Sequence, residues 1–470
     1  MDPLNGVQAT LRSITAAIRP YMNRRIVFLL ISLSGLSCTL LLHISYTGKF
    51  PLTSLVTKTN TTDSTFLHLE VNQGAVTELH ICRDVLQRTK SFRNGLLEEC
   101  EHLAGEHPIF KTFLEKTLAY LSWHNSATAQ TASARPSLTW KCLKRGPGCG
   151  GYGDQIRGIA YAFVLASLTG RMLYIRWPSL YTADSEDDRD ALEHRMFVPN
   201  AVNWSLPSFL SNASTTQFCD HGPRYEAIGV CEALYSHTQH ITYSVMHWHA
   251  SCFNESLMEN KVSSLDLKGF VKLPSNVLEC ATTIIVRLLL RYSKAVHEKM
   301  EELKRILGVG PDTHFAAVHI RTGMFPSGLN ESAGWRLEHS DTLWKKDIKC
   351  ALKGSKALGI NGPLVLVSDS VQCKQWVRKA FSKDVLVSPV KPMHVAIDTK
   401  YRSGLSKKEK KERYRSVLST TAELALLSDA AVVFMAASGF SRVSTWLGGL
   451  SADHKFCCNV PCSRYHLDYR

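Results

Sequence analysis

Residues Ser416 to Leu450 read SVLSTTAELALLSDAAVVFMAASGFSRVSTWLGGL. The first part carries apolar residues at helical spacing, AVVFM is a short continuous apolar run, and a second helical pattern opens after Ser438. Helix, buried strand, helix is the repeating unit of an α/β fold with a parallel sheet. At Ser438 and Gly439 a helix N-terminus follows the carboxyl end of a strand, the arrangement that binds anions, with Ser438 or Ser441 able to cap it. An ordinary helix cap has the same sequence, so this stretch indicates a fold class before it indicates a ligand.

The same alternation runs upstream. HFAAVHI (His314–Ile320), PLVLVS (Pro363–Ser368) and DVLVS (Asp384–Ser388) predict strands, and QCKQWVRKAF (Gln372–Phe381) a helix. Further back, Val277–Leu307 predicts one long amphipathic helix that stops at Gly308 and Gly310, and RMLYIRWP (Arg171–Pro178) a strand after a helix opening near Asp154. Two doubly wound domains are expected, 138–308 and 309–455, meeting near Gly308 to Asp312. A Cys-rich tail, 456–470, holds Cys457, Cys458 and Cys462.

The N-terminal region is of another kind. Ile26–Tyr46 reads IVFLLISLSGLSCTLLLHISY, free of Asp, Glu, Lys and Arg, and is long enough for a membrane-crossing helix. Arg12, Arg19, Arg24 and Arg25 precede it, which keeps residues 1–25 cytosolic and sends the rest across the bilayer. A cleaved signal peptide would have a shorter apolar region nearer the start. The expected topology is a single-pass type II protein with its span at 26–46 and a lumenal stem with helical segments over 47–137. Of the 14 cysteines only Cys38 lies in that span, and an oxidising lumen would pair several of the others. Sequons at Asn60, Asn203, Asn212, Asn254 and Asn330 fit a glycosylated secretory-pathway protein. No zinc-finger Cys spacing is present, so no structural metal is expected.

The net charge of +14 is spread along the chain, and the topology places it away from nucleic acid. Its densest run, SKKEKKERYR (Ser406–Arg415), mixes Glu with Lys and Arg and predicts the solvated start of a helix.

Ligands of such folds sit at the carboxyl ends of strands, and three polar clusters fall there. HIRTG brings His319, Arg321 and Gly323 to the end of one strand, with His319 and Arg321 on the same side; the guanidinium fork suits a phosphate. Asp369 ends the next, where it could accept from a base or ribose or cap a helix. Ser438 and Gly439 form the third. Three such ends in one domain point to a bound anion where each alone reads as a cap or a salt bridge. A fourth feature, GCGGYGDQ (Gly148–Gln155), crowds glycines before a helix, as a backbone turn close to an anion or a tight turn with no ligand would.

GCGGYGDQIRGIAYAFVLASLTGRMLYI resembles the segment that opens the catalytic domain of α1,6-fucosyltransferases. VHIRTG is similar to the H-x-R signature shared by α1,2-, α1,6- and protein O-fucosyltransferases. LVSDS and ASGFSRVSTWLGG are similar to two later motifs of that superfamily. The resemblance covers Leu138 to about Leu450. It implies a GT-B fold, two facing Rossmann-like domains with GDP-fucose held mainly by the second, and no metal or other cofactor. By the same resemblance Arg321 would hold the β-phosphate and assist catalysis, while His319 and Asp369 would contact guanine. Gly323, Ser438, Gly439, Phe440, Ser441 and Arg442 would complete the diphosphate pocket, faced by Gly151, Tyr152, Gly153 and Gln155. Met324 stands where the family carries an acid, and Asp154 where the α1,6 enzymes carry Cys.

The reaction implied is inverting transfer of fucose to a hydroxyl of a glycan or glycoprotein in the Golgi or endoplasmic reticulum membrane. A general base is then required, with Asp154, Asp184 and Glu186 as candidates. Two alternatives stay open. Asp188 and Asp190 in SEDDRD form a D-x-D that could hold Mn²⁺ in a metal-dependent glycosyltransferase, and the chain could be a non-catalytic lumenal glycan-binding protein.

Overall fold

The computed structural model describes residues 80–89, 93–126, 135–141, 151–176, 196–205, 216–220, 240–245, 273–322, 341–391, 406–436 and 438–458. The expected membrane span and cytosolic tail lie outside these residues. No helix among the described residues is long and apolar enough to cross a membrane.

The architecture is mixed α/β with two parallel sheets. The first is built from β1 (Ser137–Lys141), β2 (Met172–Arg176), β4 (Thr216–Asp220) and β5 (His240–Val245), in the order β2-β1-β5-β4. Every pairing in it is parallel. Helix α4 (Tyr152–Leu168) connects β1 to β2 and packs on both. The second sheet contains β7 (Ala316–Ile320), β8 (Leu364–Ser368), β9 (Val385–Val387), β10 (Val432–Met435) and β11 (Lys455–Cys457), ordered β11-β10-β7-β8-β9 and wholly parallel.

The apolar runs of the second sheet follow from burial on both faces. Ala316, Val318, Ile320, Leu364 and Leu366 face one core with Trp344 and Ile348 of α7 (Asp341–Ala357) and Val377 of α8 (Val371–Ala380). Ala317, Val365 and Val433 face the other core with α9 (Lys407–Asp429). A strand enclosed on both sides has no polar face to alternate with. Ser406 caps α9 and Glu409 returns the contact in a capping box, so the charged run there is the exposed start of that helix.

Three boundaries differ from the sequence expectation. The single helix expected over Val277–Leu307 is two, α5 (Ser275–Leu289) and α6 (Lys294–Leu307). Between them Leu290–Tyr292 forms β6, antiparallel to β3 (Phe197–Pro199), and Ser293 caps α6 by accepting from Val296 N–H. Strand pairing and the cap together satisfy the backbone groups that a continuous helix would have used. Gly308, at φ 71°, ends α6 in the left-handed region. However, α6 packs along α9, and Lys304 Nζ lies 2.6 Å from Asp429 Oδ2, so it belongs with the second sheet.

The second difference concerns the expected stem. Residues 81–125 form α1 (Ile81–Gln87), α2 (Asn94–Glu106) and α3 (Pro108–Asn125), with Cys82–Cys100 joining the first two. Val85, Leu86, Phe110, Leu114 and Tyr120 are buried in the same core as α4 and α5. Arg93 donates to the carbonyls of Ser428 (3.0 Å) and Ala430 (2.9 Å) at the end of α9, and Glu99 accepts Ala452 N–H (3.0 Å). Tyr120 donates to Arg171 carbonyl (2.9 Å) and accepts Leu173 N–H (3.1 Å) beside β2. This much apolar surface is stable only when covered, and here α4 and α5 cover it. At the other end, β11 crosses the boundary expected at 455/456, and Cys458 is bonded to Cys350 of α7.

Candidate functional site

In the second sheet β10, β7 and β8 are neighbours, so the ends of these strands present their polar residues side by side. Asp369, just past β8, is buried. Its Oδ1 accepts both Thr322 N–H (2.7 Å) and Thr322 Oγ1–H (2.9 Å), which staples the turn after β7. Its Oδ2 lies 3.4 Å from Arg321 Nε. A charged acceptor at the edge of a guanidinium fixes the plane of the fork. Arg321 remains partly open, its side chain 20% exposed.

His319 is enclosed, and its ring packs 5.3 Å from that of Phe440. Burial, then the charges of Arg321 and Lys374, push its pKa down to about 3, so the ring is neutral at physiological pH. Its Nδ1 is buried and has no hydrogen-bond partner among the described residues. A buried polar atom without a partner is uncommon and marks a place where another group can bond.

Beside β10, Ser438 caps α10 (Gly439–Gly448) by accepting Phe440 N–H at 3.2 Å. The buried Ser441 turns its hydroxyl back onto the carbonyls of Ala436 and Ser438, both at 3.1 Å. Arg442 is half-buried in the first turn, its N–H bonded to Ser438 carbonyl.

The N-terminus of α4 meets this helix directly. A Cβ on Gly153 would stand 2.5 Å from Gly439 Cα, and one on Gly439 would stand 2.8 Å from Gly153 Cα. Only glycine lets two backbones approach so closely. Two helix N-termini, each the positive end of its dipole, therefore converge next to Arg321's strand end. Gly151 and Asp154 are half-buried at this join. Tyr152 and Gln155 are buried; the Tyr152 hydroxyl bonds Thr421 at 2.9 Å and its ring meets the edge of Phe197. Tyr152 is thus placed in the packing between the halves, while the glycines beside it form the close contact.

Gly323, Asp184, Glu186, Asp188 and Asp190 lie outside the described residues, as do Asn60, Asn212, Asn254 and Asn330. Asn203 is exposed, and its Oδ1 accepts Ser205 N–H. Among the described residues no group of three His, Cys, Asp or Glu side chains is placed to hold a metal ion. A cavity of 530 Å³ opens at the opposite, amino ends of the second sheet, lined by Arg93, Asp312, His314, Asp429 and His454. It is separate from the strand-end cluster.

Sequence reasoning missed Thr322 and the buried pair Lys374–Glu423 behind the cluster. A lone Glu inside the apolar run AELALL was the available signal for the pair.

No family model matches the chain, and no curated protein does. Among solved structures, the chain is similar to the NodZ α1,6-fucosyltransferase of Bradyrhizobium soaked with GDP-fucose. That likeness has 16% identity over 67% of this chain and 93% of that one, with a TM-score of 0.41. A second is a point mutant of Arabidopsis thaliana FUT1 in complex with GDP, at 13% identity over 72% of this chain and 77% of that one, TM-score 0.44. A third is POFUT1 in complex with GDP-fucose, at 10% identity over 70% and 98%, TM-score 0.34.

Proposed function

We propose that this protein is a GT-B glycosyltransferase that moves fucose from GDP-fucose to a hydroxyl of a glycan or glycoprotein, with inversion and without a metal. One observation carries the reading. Arg321, neutral His319, Asp369 and the N-terminus of α10 stand at adjoining strand ends, with the N-terminus of α4 against them.

Rupture of a sugar–phosphate bond places negative charge on the departing diphosphate and positive charge on the anomeric carbon. The Arg321 fork and the N–H groups opening α10 stabilise the first, an electrostatic contribution of several kcal/mol in a site closed to water. His319 and Asp369 take the base end, where the unpartnered Nδ1 meets a ring donor or, with a water between, an acceptor. The acceptor hydroxyl attacks the opposite face of the sugar and passes its proton to a carboxylate. Asp154, in the first turn of α4 next to Gly153, is the candidate that stands at the join. A lumenal setting behind the 26–46 span is part of the same reading. It is supported by the sequons and by the disulfides Cys82–Cys100 and Cys350–Cys458, which suit an oxidising compartment.

The deciding experiment offers the purified full chain a panel of nucleoside diphosphates and nucleotide sugars. GDP should raise its unfolding temperature, and GDP-fucose should be hydrolysed or transferred. A chain that neither binds GDP nor turns over GDP-fucose would refute the proposal.

A further inference from the structure

Behind the strand ends lies an ion pair that the donor chemistry does not use. Lys374, in the first turn of α8, is 5% exposed, and Glu423, in the buried part of α9, is 3% exposed. Lys374 Nζ donates to Glu423 Oε1 and to the carbonyl of Val390, each at 2.7 Å. Glu423 also accepts from the Ser388 hydroxyl. Two side chains thus tie together α8, α9 and the segment Ser388–Val390 that follows β9. The backbone of Lys374 closes the first turn of α8 onto Ser370, the residue after Asp369.

Stability does not account for this arrangement. Removing two charges from water costs several kcal/mol per ion, and an apolar pair of the same volume is often as stable or more so. Location does account for it. The charge of Lys374 acts on His319 and that of Asp369 acts on Glu423, so the pair lies within electrostatic reach of both His319 and Asp369. These are the two residues assigned to the base end of the donor pocket.

We infer that Lys374 and Glu423 are positioning residues for the nucleobase: they fix the Asp369–Ser370 turn and the Ser388–Val390 segment as the rigid frame in which His319 and Asp369 meet the base. This rests on the nucleotide-sugar reading above. Neither side chain need touch the ligand. The diphosphate end is held by the N-terminus of α10 as well as by Arg321, which Asp369 contacts, so it depends on the pair less than the base end does.

The test measures dissociation constants of GDP and of inorganic pyrophosphate by calorimetry on wild type and on Lys374→Met/Glu423→Leu. The double variant should unfold at or above the wild-type temperature, bind GDP at least tenfold more weakly and lose clearly less affinity for pyrophosphate, no more than about threefold. Should it not fold, Lys374→Gln/Glu423→Gln takes its place. The shorter glutamine side chain on α8 no longer reaches the Val390 carbonyl, and the same two constants decide with a threefold threshold for GDP. GDP affinity equal to wild type, or an equal loss for both ligands, would overturn the inference and leave the donor reading standing. Wild type binding neither ligand would overturn both.

Discussion

Gly153→Ala puts the meeting of the two helix N-termini to the test. In a helix this substitution ordinarily stabilises by about 0.5–1 kcal/mol, because alanine has less backbone freedom to lose. Here the added methyl would stand 2.5 Å from Gly439 Cα, 2.8 Å from its carbonyl carbon and 3.1 Å from its oxygen. Carbon atoms pack at about 3.5–4 Å. The backbones must therefore part by roughly 1 Å, and no flexible side chain can yield in their place. Overpacking of this kind costs about 1–3 kcal/mol, so the sign reverses and the variant should be less stable by about 1–2 kcal/mol. The same displacement moves α10 relative to Arg321, and a misplacement of about 1 Å can cost on the order of a hundredfold in rate. Thermal unfolding with and without GDP reads both effects. Gly105→Ala, at an exposed position with nothing within 4 Å, is the control and should be neutral or slightly stabilising. If Gly153→Ala is as stable as wild type and gains as much from GDP, the contact between α4 and α10 does not shape the site.

Four further outcomes are expected. Arg321→Ala should lower kcat/KM by about a hundredfold or more and reduce the thermal gain from GDP, and Arg321→Lys should lose most activity because the fork is gone; wild-type kinetics in either would reject the phosphate role. Activity should survive EDTA, with Asp188→Ala/Asp190→Ala nearly silent; loss on chelation restored by Mn²⁺ would favour a metal-dependent transferase. His319 has a folded pKa lowered to about 3, so only the unfolded chain takes up its proton between about pH 6.5 and 3. Its contribution is complete above 6.5 and falls by about 1.4 kcal/mol per pH unit below that; His319→Gln should flatten stability-versus-pH curves in this window, and an unchanged slope would show that the ring is not held neutral. Glycosidase should lower the apparent mass, and an N-terminal tag should be accessible only from the cytosolic side; a protected tag would reverse the topology.

The second sheet was legible because its strands are buried on both faces and therefore read as unbroken apolar runs between turns. The polar residues at its strand ends stood out for the same reason. In the first sheet, SLTWK and HITYSV mix polar with apolar residues and carry no comparable signal. The helices over 81–125 have the same spacing whether they stand in a stem or pack on a neighbour, and only tertiary contact tells the two apart. LLLRY continued the apolar pattern of α5, which concealed the short strand there. Nothing in QCKQWVRKAF marks Lys374 as buried, since its partner lies 49 positions away. Tyr152 read as part of a ligand turn because glycines surround it, whereas its ring fills the space between two halves of the protein.

The helices over 81–125 have a consequence for motion. Two-lobed proteins commonly hinge about the connecting segment as substrate enters and product leaves. Here the lobes share a clasp on the far side, gripping one through Tyr120 and the other through Arg93 and Glu99. Swinging the lobes apart would break those bonds and expose the apolar faces of α1 to α3. Separation of the two sheets is accordingly coupled to disruption of α1 to α3.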